Sequence, residues 1–383
     1  MERTDCRSLV QDLLEHRAEL LVVQAADGAE LARYFDAIEA IGTPRPALLV
    51  ACASADLQAR GTELGVAHWL EAPPADWDAA MRWTLLQSRR VAALQQRLDE
   101  RRWTERAKGC LMAAQQLDEP QAHRLLRETA MHARLPLSEV ASSVVRASQL
   151  AEAVNRAGQQ RMLSQRLIKL MAQRAAGIEV RRARLLQDES TARVRANLAR
   201  LGELLAPDLR GHLLEPLHAA WALLAPCLRG RPEPARLAEA EAAARQLLQA
   251  AEALVRALVE VGARPALCVL DLCGRQRLLG QRLAVAALLA NALPDPARQA
   301  AMARDAADFT AALDELDASP LADQATLALL ADVRAEWLRL LHALRHGATR
   351  EAGSVLARAS EALLVQLDAL TLRYQQSLHT LLS

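Results

Sequence analysis

A nine-residue motif occurs twice in this chain, as Gly158–Arg166 (GQQRMLSQR) and as Gly274–Arg282 (GRQRLLGQR), with a spacing of 116 residues. Each copy continues into an apolar run with helical periodicity. The duplication predicts two equivalent helices in one fold. It also predicts that the matching arginines, Arg161 and Arg277, are brought together between those helices.

Turn and proline signals divide residues 149–383 into eight helices, in two sets of four, and each set opens with the repeated motif. We expect the first helices at about 150–176 and 265–292, in a pair of related four-helix bundles. Hydrophobic residues make up 52% of the chain and charged residues 24%, with only 2 Tyr and 2 Phe. This composition is typical of a mainly α, soluble protein.

Composition also narrows the location and the chemistry. No apolar run reaches the roughly 18 residues that a membrane-spanning helix needs, and the start at Met1–Asp5 leads into no signal-peptide core. We therefore expect a cytoplasmic protein that does not bind membranes. The six cysteines show no metal-ligand spacing, which favours buried, reduced thiols. No catalytic residues, metal site or cofactor are predicted, so an enzyme is not expected.

Residues 1–78 carry the strand signals of a small α/β domain, at Leu20–Val23, Ala47–Ala51 and Val66–Leu70. Their alternation with helical stretches predicts a parallel sheet. The stretch Gly65–Pro73 resembles the last strand of a response-regulator receiver. However, Ala51–Ser54 offers no aspartate after the middle strand, so we expect a degenerate receiver-like domain used for docking or dimerisation.

Residues 79–148 predict a long helix followed by a compact three-helix segment. Hydrophobic residues at the start of this region have the a/d spacing of a short coiled coil: Val91, Leu94 and Leu98. Asp118 and Gln121 form a D-x-x-Q capping box at the start of the second helix.

The three-helix segment contains several ordered motifs. They are Glu105–Met112 (ERAKGCLM), Glu119–Arg127 (EPQAHRLLR), Ala130–Met131 and Leu137–Ala141 (LSEVA). In this order and spacing they resemble the ANTAR family of RNA-binding antitermination domains. The resemblance implies binding of a leader RNA hairpin, and it favours a homodimer. His123 occupies a position where that family usually has Phe or Tyr.

The cations of this segment are the candidate RNA contacts. Residues 85–147 hold 11 Lys and Arg against 7 Asp and Glu, in a chain of net charge +1. We expect the following residues to bind RNA from outward-facing helix surfaces: Arg106, Lys108, Arg124, Arg127 and His123. The alternatives are a solvated charged face and a DNA-binding helix-turn-helix. No dense basic recognition helix is evident, so DNA is not expected.

The first copy of the repeated motif lies within Asn155–Lys169 (NRAGQQRMLSQRLIK). This stretch resembles the signature of the PilJ-like and NIT domains, which sense nitrate and nitrite. The second copy is looser, with Asp271, Cys273 and Gly280 at three signature positions. The resemblance implies that an arginine of the motif grips the anion, a role that falls on Arg161 and, through the repeat, on Arg277.

Helical spacing extends this prediction to neighbouring residues. The predicted ligand-binding set is Arg161 with Gly158, Ser164 and Gln165, and Arg277 with Gly274 and Gln281. Two guanidinium groups on facing helices suit a trigonal oxyanion. The glycines leave room for close approach of the helices.

Structural roles remain as alternatives. The arginines and glutamines of the motif could simply tie helices together through buried salt bridges, which is the role we expect for Arg166 and Arg282. Asp271 has two interpretations: it holds Arg277 in position, or it repels the ligand and leaves Arg161 with most of the binding.

Taken together, the sequence predicts a nitrate- or nitrite-responsive regulator of transcription antitermination that acts at leader hairpins of nitrate-assimilation genes. The third ANTAR-like helix, from about Leu137, is expected to run almost unbroken into the first sensor helix, which would couple the two functions. The alternative is a helical protein-interaction adaptor that binds no small anion.

Overall fold

A computed structural model of the chain describes residues 9, 11, 13, 18–41, 45–115, 117–205, 207–262, 265–290, 296–319, 322–345 and 349–381. The chain divides into two compact units, Met1–Arg102 and Trp103–Ser383. The predicted fold class is confirmed: a small N-terminal sheet with helices precedes a chain that is helical throughout.

The N-terminal unit contains a parallel three-stranded sheet in the order β1-β2-β3. The elements are β1 (Leu20–Gln24), α1 (Gly28–Ile41), β2 (Ala47–Ala51), α2 (Gln58–Leu64) and β3 (Val66–Leu70). All residues of the central strand β2 are buried, as expected for a strand covered on both faces. The three predicted strands are therefore confirmed.

The three-helix segment is formed by the end of α3 (Trp77–Gln115), α4 (Glu119–Ala133) and the start of α5 (Leu137–Ala175). The expectation of a separate long helix before this segment is wrong, because that helix and the first helix of the segment are both part of α3. Its core contains Ala107, Leu111, Leu126, Ala141 and Val144, among others. The capping box is confirmed, because Asp118 accepts a hydrogen bond from the Gln121 amide and the Gln121 side chain accepts one from the Asp118 amide. The box fixes where α4 begins.

Helix α5 is one continuous helix of 39 residues. It begins in the core of the three-helix segment with Val140, Ala141 and Val144. It then carries the whole first copy of the repeated motif. The predicted continuity between the two regions is confirmed, so a shift of α5 along or about its axis would be felt in both.

The remaining helices complete two sets of four. They are α6 (Val180–Leu204), α7 (Glu215–Cys227), α8 (Pro234–Gly262), α9 (Pro265–Leu289), α10 (Pro296–Asp317), α11 (Gln324–Arg345) and α12 (Arg350–Leu381). A helical turn at Pro207–Leu209 and a π-helical stretch at Arg210–Leu214 lead into α7. Proline at the first position of α8, α9 and α10 suits a helix start, because proline lacks the amide that would be unsatisfied there.

The two sets share one hydrophobic core. Helix α5 packs against α6, α8 and α9, and α9 packs against α10 and α12. A single cluster of buried residues therefore extends from Val154 and Leu167 on α5 through Leu283 on α9 to Phe309 on α10. The helices that carry the repeated motif lie at the centre, where the two sets meet.

Other expectations are met in part. Cys52 and Cys273 are buried, but Cys268 is exposed, so the prediction of buried thiols is wrong there; Cys6 lies outside the described residues. Val91, Leu94 and Leu98 are exposed, and their role in a coiled coil stays a prediction. In the described parts of the chain, no helix combines the length and apolarity needed to span a bilayer.

Candidate functional site

The repeated motifs bring two glycines together where α5 crosses α9. A Cβ atom added to Gly158 would lie 3.7 Å from the Gly274 Cα, and one added to Gly274 would lie 3.6 Å from the Gly158 Cα. The backbones of the two helices are therefore in contact at this point. Glycine at both positions leaves room here for the ends of the two arginine side chains.

Arg161 and Arg277 converge on this glycine contact. The Nη2 atoms of Arg161 and Arg277 lie 2.8 and 3.8 Å from the position of a Cβ on Gly274. They lie 3.5 and 3.6 Å from the corresponding position on Gly158. Both arginines are buried, with exposed fractions of 6% and 1%. The two side chains therefore meet in one place inside the helical unit rather than on separate surfaces.

Each arginine is held by the other copy of the repeat. Arg161 donates to Asp271 on α9, with an Nη2 to Oδ1 distance of 2.6 Å. Arg277 donates to Asn155 on α5, with an Nη2 to Oδ1 distance of 2.8 Å. Asn155 and Asp271 occupy equivalent positions of the repeat. The exchange is reciprocal, so the first interpretation of Asp271 is wrong in its partner: it holds Arg161, not Arg277.

Arg277 has a second anionic partner on the last helix. Its Nη1 atom donates to Asp368 Oδ1 on α12 at 2.9 Å. The Asp368 side chain is 35% exposed, and its Oδ2 atom lies 3.8 Å from the Nη1 atom of Arg193 on α6. Asp368 therefore connects the buried arginine to the edge of the unit.

The Nε atoms of Arg161 and Arg277 are buried and have no hydrogen-bond partner among the described residues. The same holds for the Oε1 atom of Gln281, four residues beyond Arg277 on α9. A buried donor without a partner costs roughly 1–3 kcal/mol. The two guanidinium groups therefore keep N–H donors available after all of their protein contacts are made.

The remaining predicted ligand residues lie in the motif but bond mainly to protein. The Ser164 hydroxyl donates to the Arg161 carbonyl oxygen at 2.7 Å, within its own helix. The Gln165 amide donates to the Ser164 hydroxyl oxygen at 3.4 Å. The Gln281 amide donates to the Ser360 carbonyl oxygen at 3.0 Å and so ties α9 to α12.

The second arginine of each motif copy makes a structural ion pair, as the sequence suggested. Arg166 forms a two-pronged pair with Glu361 on α12 and donates to Ser190 on α6. Arg282 pairs with Asp305 on α10. The first glutamine of each copy behaves alike: Gln160 donates to the Val194 carbonyl and Gln276 to the Phe309 carbonyl.

Sequence reasoning missed the carboxylates of α12. Glu361 binds both Arg166 and the fully buried Lys169, and Asp368 binds Arg277. The sequence contained only a weak indication that these two carboxylates are buried partners of cations. Both carboxylates fall on a helix face that also carries Leu364 and Leu367, where an acidic residue needs a cationic partner.

One predicted RNA contact does not face outward. Lys108 is only 7% exposed, and its amine pairs with Glu105 at 2.8 Å and with Glu119 at 2.6 Å. The hydrogen bonds that Lys108 donates to the carboxylates of Glu105 and Glu119 raise the pKa of Lys108. The expectation of an outward Lys108 is therefore wrong, because this residue links α3 to the first turn of α4.

The other predicted RNA contacts are accessible. Arg106, His123, Arg124 and Arg127 are exposed. Leu126, beside them on α4, is buried, so the division of α4 into a buried and a charged face is as predicted. His123 lies outside the core of the three-helix segment.

Comparison with known families agrees with these two regions. Residues 92–145 match the family model of the ANTAR domain, and residues 144–260 match that of the type IV pili methyl-accepting chemotaxis transducer N-terminal domain, known as PilJ. No curated protein and no solved structure matches the chain significantly. The ANTAR match indicates RNA-binding antitermination regulation, and the PilJ match indicates a sensor. The chain thus joins an ANTAR domain to a PilJ-like sensor domain.

Proposed function

We propose that this protein is a nitrate- or nitrite-responsive regulator of transcription antitermination. The anion binds between Arg161 and Arg277, and the ANTAR domain binds leader hairpins of nitrate-assimilation genes. In this proposal residues 1–78 form the receiver-like domain, 79–148 the RNA-binding region and 149–383 the sensor, and the protein acts as a homodimer.

The convergence of Arg161 and Arg277 on the Gly158–Gly274 contact is the observation that carries the proposal. Each guanidinium group retains a buried Nε–H donor without a partner among the described residues. A planar oxyanion can accept from several N–H groups at once, and guanidinium groups present such donors in a fixed plane. Nitrate or nitrite at this point would bond to donors that the protein leaves unused.

Asp271 supports a switch rather than a permanently open site. It already neutralises Arg161, so an anion entering the junction must compete with that carboxylate. Displacing Asp271 from Arg161 would break one of the ion pairs that join α5 to α9. A ligand that favours one arrangement of these helices over another shifts the population towards it.

Helix α5 offers the route from sensor to RNA. Its N-terminal part packs in the ANTAR core and its middle carries Arg161. A cleft of about 500 Å³ lies alongside, lined by Arg106 from α3, Glu152 from α5 and Arg200 from α6. In the proposal, movement of α5 changes this cleft and with it the presentation of Arg106.

Calorimetric titration with nitrate, nitrite, chloride and sulfate tests the anion site. The wild type is compared with Arg161→Lys and Arg277→Lys, which keep the charge but lose the planar donor set. We expect heat from nitrate or nitrite in the wild type and an affinity at least about tenfold lower in both variants. A matched control, Arg282→Lys, alters the structural arginine of the same motif and should bind like the wild type.

Gel-shift titration of the leader transcript of the nitrate-assimilation operon, with and without the anion, tests the coupling. Equal RNA affinity in both states would contradict it.

The alternative function, a helical adaptor without an anion ligand, is favoured by one observation. Asp271 and Asp368 already neutralise the two arginines, as structural ties between helices would. An adaptor predicts that no anion in the titration produces heat and that RNA binding does not respond to nitrate.

A further inference from the structure

A cleft rich in arginine lies in the first set of four helices, at the C-terminal end of α5. It has a volume of about 670 Å³ and is bordered by the end of α5, the first half of α6 and the turn after α7. Five arginines line it, with one carboxylate: Arg174, Arg184, Arg195, Arg229, Arg231 and Asp188. This volume is within the range of small-molecule sites.

Most of this positive charge is not compensated by the protein. Arg184, Arg195, Arg229 and Arg231 are exposed, and none of the four forms an ion pair within the described part of the chain. Elsewhere in the same unit, arginines such as Arg200 and Arg334 each have two acidic partners. A concave surface that collects charge of one sign raises the local concentration of ligands of the opposite sign.

The floor of the cleft is built from fixed groups. Arg174 donates to the Gln187 side chain at 2.8 Å and to the Gly230 carbonyl oxygen at 2.6 Å. Gln187 is buried, and its amide donates to the Leu228 carbonyl oxygen at 2.8 Å. These bonds hold the turn after α7 against α5 and α6, so the guanidinium group of Arg174 has a defined position.

The partners of Arg174 are neutral, so its charge is not balanced by them. Burial and the neighbouring Arg184 lower the pKa of Arg174, and Asp188 offsets only part of this by raising it. The net lowering means that the cation is held at a cost in this environment. An anion placed between Arg174 and Arg184 would remove that cost.

We propose that this cleft binds a ligand with two or more adjacent phosphate groups, either free oligophosphate or the phosphate chain of a nucleotide. Arginine forks match phosphate oxygens in geometry and in charge. Several forks around one cleft suit a ligand with several charges better than a single monovalent anion.

This site is distinct from the junction of Arg161 and Arg277, where nitrate or nitrite is proposed to bind. Arg174 lies 13 residues beyond Arg161 on the same helix, which corresponds to about 20 Å along the axis. The ANTAR core lies at the opposite end of that helix. A phosphate ligand here would therefore act on α5 from the end that the RNA-binding region does not occupy.

The test uses the full chain and titrates inorganic pyrophosphate, ADP and adenosine by calorimetry. The double variant Arg184→Glu/Arg195→Glu reverses two exposed charges of the cleft. Arg245→Glu/Arg256→Glu is the matched control, because it makes the same charge change at exposed positions on α8. We expect pyrophosphate or ADP to bind the wild type and the control, and to bind the cleft variant at least about tenfold more weakly.

Comparing the three ligands distinguishes a free oligophosphate from the phosphate chain of a nucleotide. Binding of pyrophosphate and ADP alike indicates recognition of the phosphate chain, and binding of ADP alone indicates a nucleotide. Adenosine should not bind. Nitrate binding in the cleft variant should equal that of the wild type, so this test does not depend on the nitrate site.

Two results would overturn the proposal. One is that neither pyrophosphate nor ADP produces heat with the wild type. The other is that the cleft variant binds both as tightly as the control does. Loss of leader RNA binding in the cleft variant, without any binding of oligophosphate, would assign the cleft to RNA and also reject the proposal.

Discussion

Asn155 and Asp271 occupy equivalent positions of the two repeats, and each holds the arginine of the other copy. Asn155 accepts from Arg277 at 2.8 Å, and Asp271 accepts from Arg161 at 2.6 Å. The geometry of this exchange is nearly symmetric, but its charge is not. Within the exchange, Arg161 faces the carboxylate of Asp271 and Arg277 faces the amide of Asn155, while the carboxylate that pairs with Arg277 comes from Asp368 on α12.

This asymmetry predicts that Asp271→Asn strengthens anion binding. The substitution restores the residue found in the first copy and removes the negative charge that competes for Arg161. We expect the affinity for nitrate or nitrite, measured by calorimetry, to rise by about tenfold, the effect of roughly 1.4 kcal/mol. The reverse substitution, Asn155→Asp, adds a carboxylate beside Arg277 and should lower the affinity by a similar factor.

The control for this pair is Asp305→Asn. It removes the acidic partner of Arg282, the structural arginine of the same motif, and should leave the anion affinity unchanged. If Asp271→Asn binds nitrate no more tightly than Asp305→Asn does, then Asp271 does not compete with the ligand.

The two glycines at the helix crossing predict different effects of alanine. A Cβ on Gly274 would approach the Arg161 Nη2 atom to 2.8 Å, whereas a Cβ on Gly158 would find no atom closer than 3.5 Å. Gly274→Ala should therefore displace the Arg161 guanidinium group and weaken anion binding. Gly158→Ala should bind almost as the wild type does.

Thermal unfolding separates this effect from damage to the fold. Replacing a mid-helix glycine by alanine favours the helix by up to about 1 kcal/mol, so neither variant should unfold at a much lower temperature. Equal anion affinities in the two variants would show that the position of Arg161 does not matter for binding.

The exposed arginines of α4 predict a salt-dependent effect on RNA binding. In Arg124→Ala/Arg127→Ala, two cations that can each neutralise a phosphate are removed. We expect weaker binding of leader RNA and a slope of log affinity against log salt that is shallower by about 1.5. Gel-shift titrations at several salt concentrations measure both quantities.

Arg245→Ala/Arg256→Ala on α8 carries the same loss of charge and should retain the wild-type slope. An unchanged slope in the α4 variant would remove these two arginines from the RNA contact. Lys108→Ala is expected to act differently, by lowering stability, because its amine bridges Glu105 and Glu119.

Acid stability should depend on the buried carboxylate of Glu361. Burial by itself would raise the pKa of Glu361, but Lys169 and Arg166 outweigh it and lower the pKa to about 2. The carboxylate is then more acidic in the folded than in the unfolded chain. Its contribution to the free energy of unfolding is complete above pH 4.5 and is lost as the pH falls towards 2.

Denaturant unfolding at pH 6 and pH 3 measures this contribution. The wild type should lose about 2 kcal/mol more than Glu361→Gln between these two values. Parallel losses in the two proteins would mean that Glu361 does not carry the acid sensitivity.

The sequence predicted the features that local patterns encode. The strands Ala47–Ala51 and Val66–Leu70 have the bounds expected from their apolar runs, and the capping box at Asp118 marks the start of α4. The repeat predicted that Arg161 and Arg277 meet. Patterns of this kind are local or duplicated, so they can be recognised in the sequence without knowing how the helices pack.

The errors arose where a residue's environment depends on distant parts of the chain. Lys108 has the helical phase of a surface residue, but Glu119 from the next helix covers it. The sequence allowed Asp271 as a partner for Arg277, six residues further along the same helix, but Asp271 reaches across to Arg161 on α5. The phase of one helix does not specify which neighbour fills the space beside it.

What the sequence alone determined is the set of parts: a small parallel sheet, an ANTAR segment and two sets of helices that open with the same motif. What only the tertiary structure decided is the pairing of charges, namely that Asp271 holds Arg161, that Asp368 and Glu361 of α12 complete the buried network, and that five arginines line one cleft. Helical periodicity follows from the local backbone, whereas the partner of a buried charge is set by how helices far apart in sequence pack together.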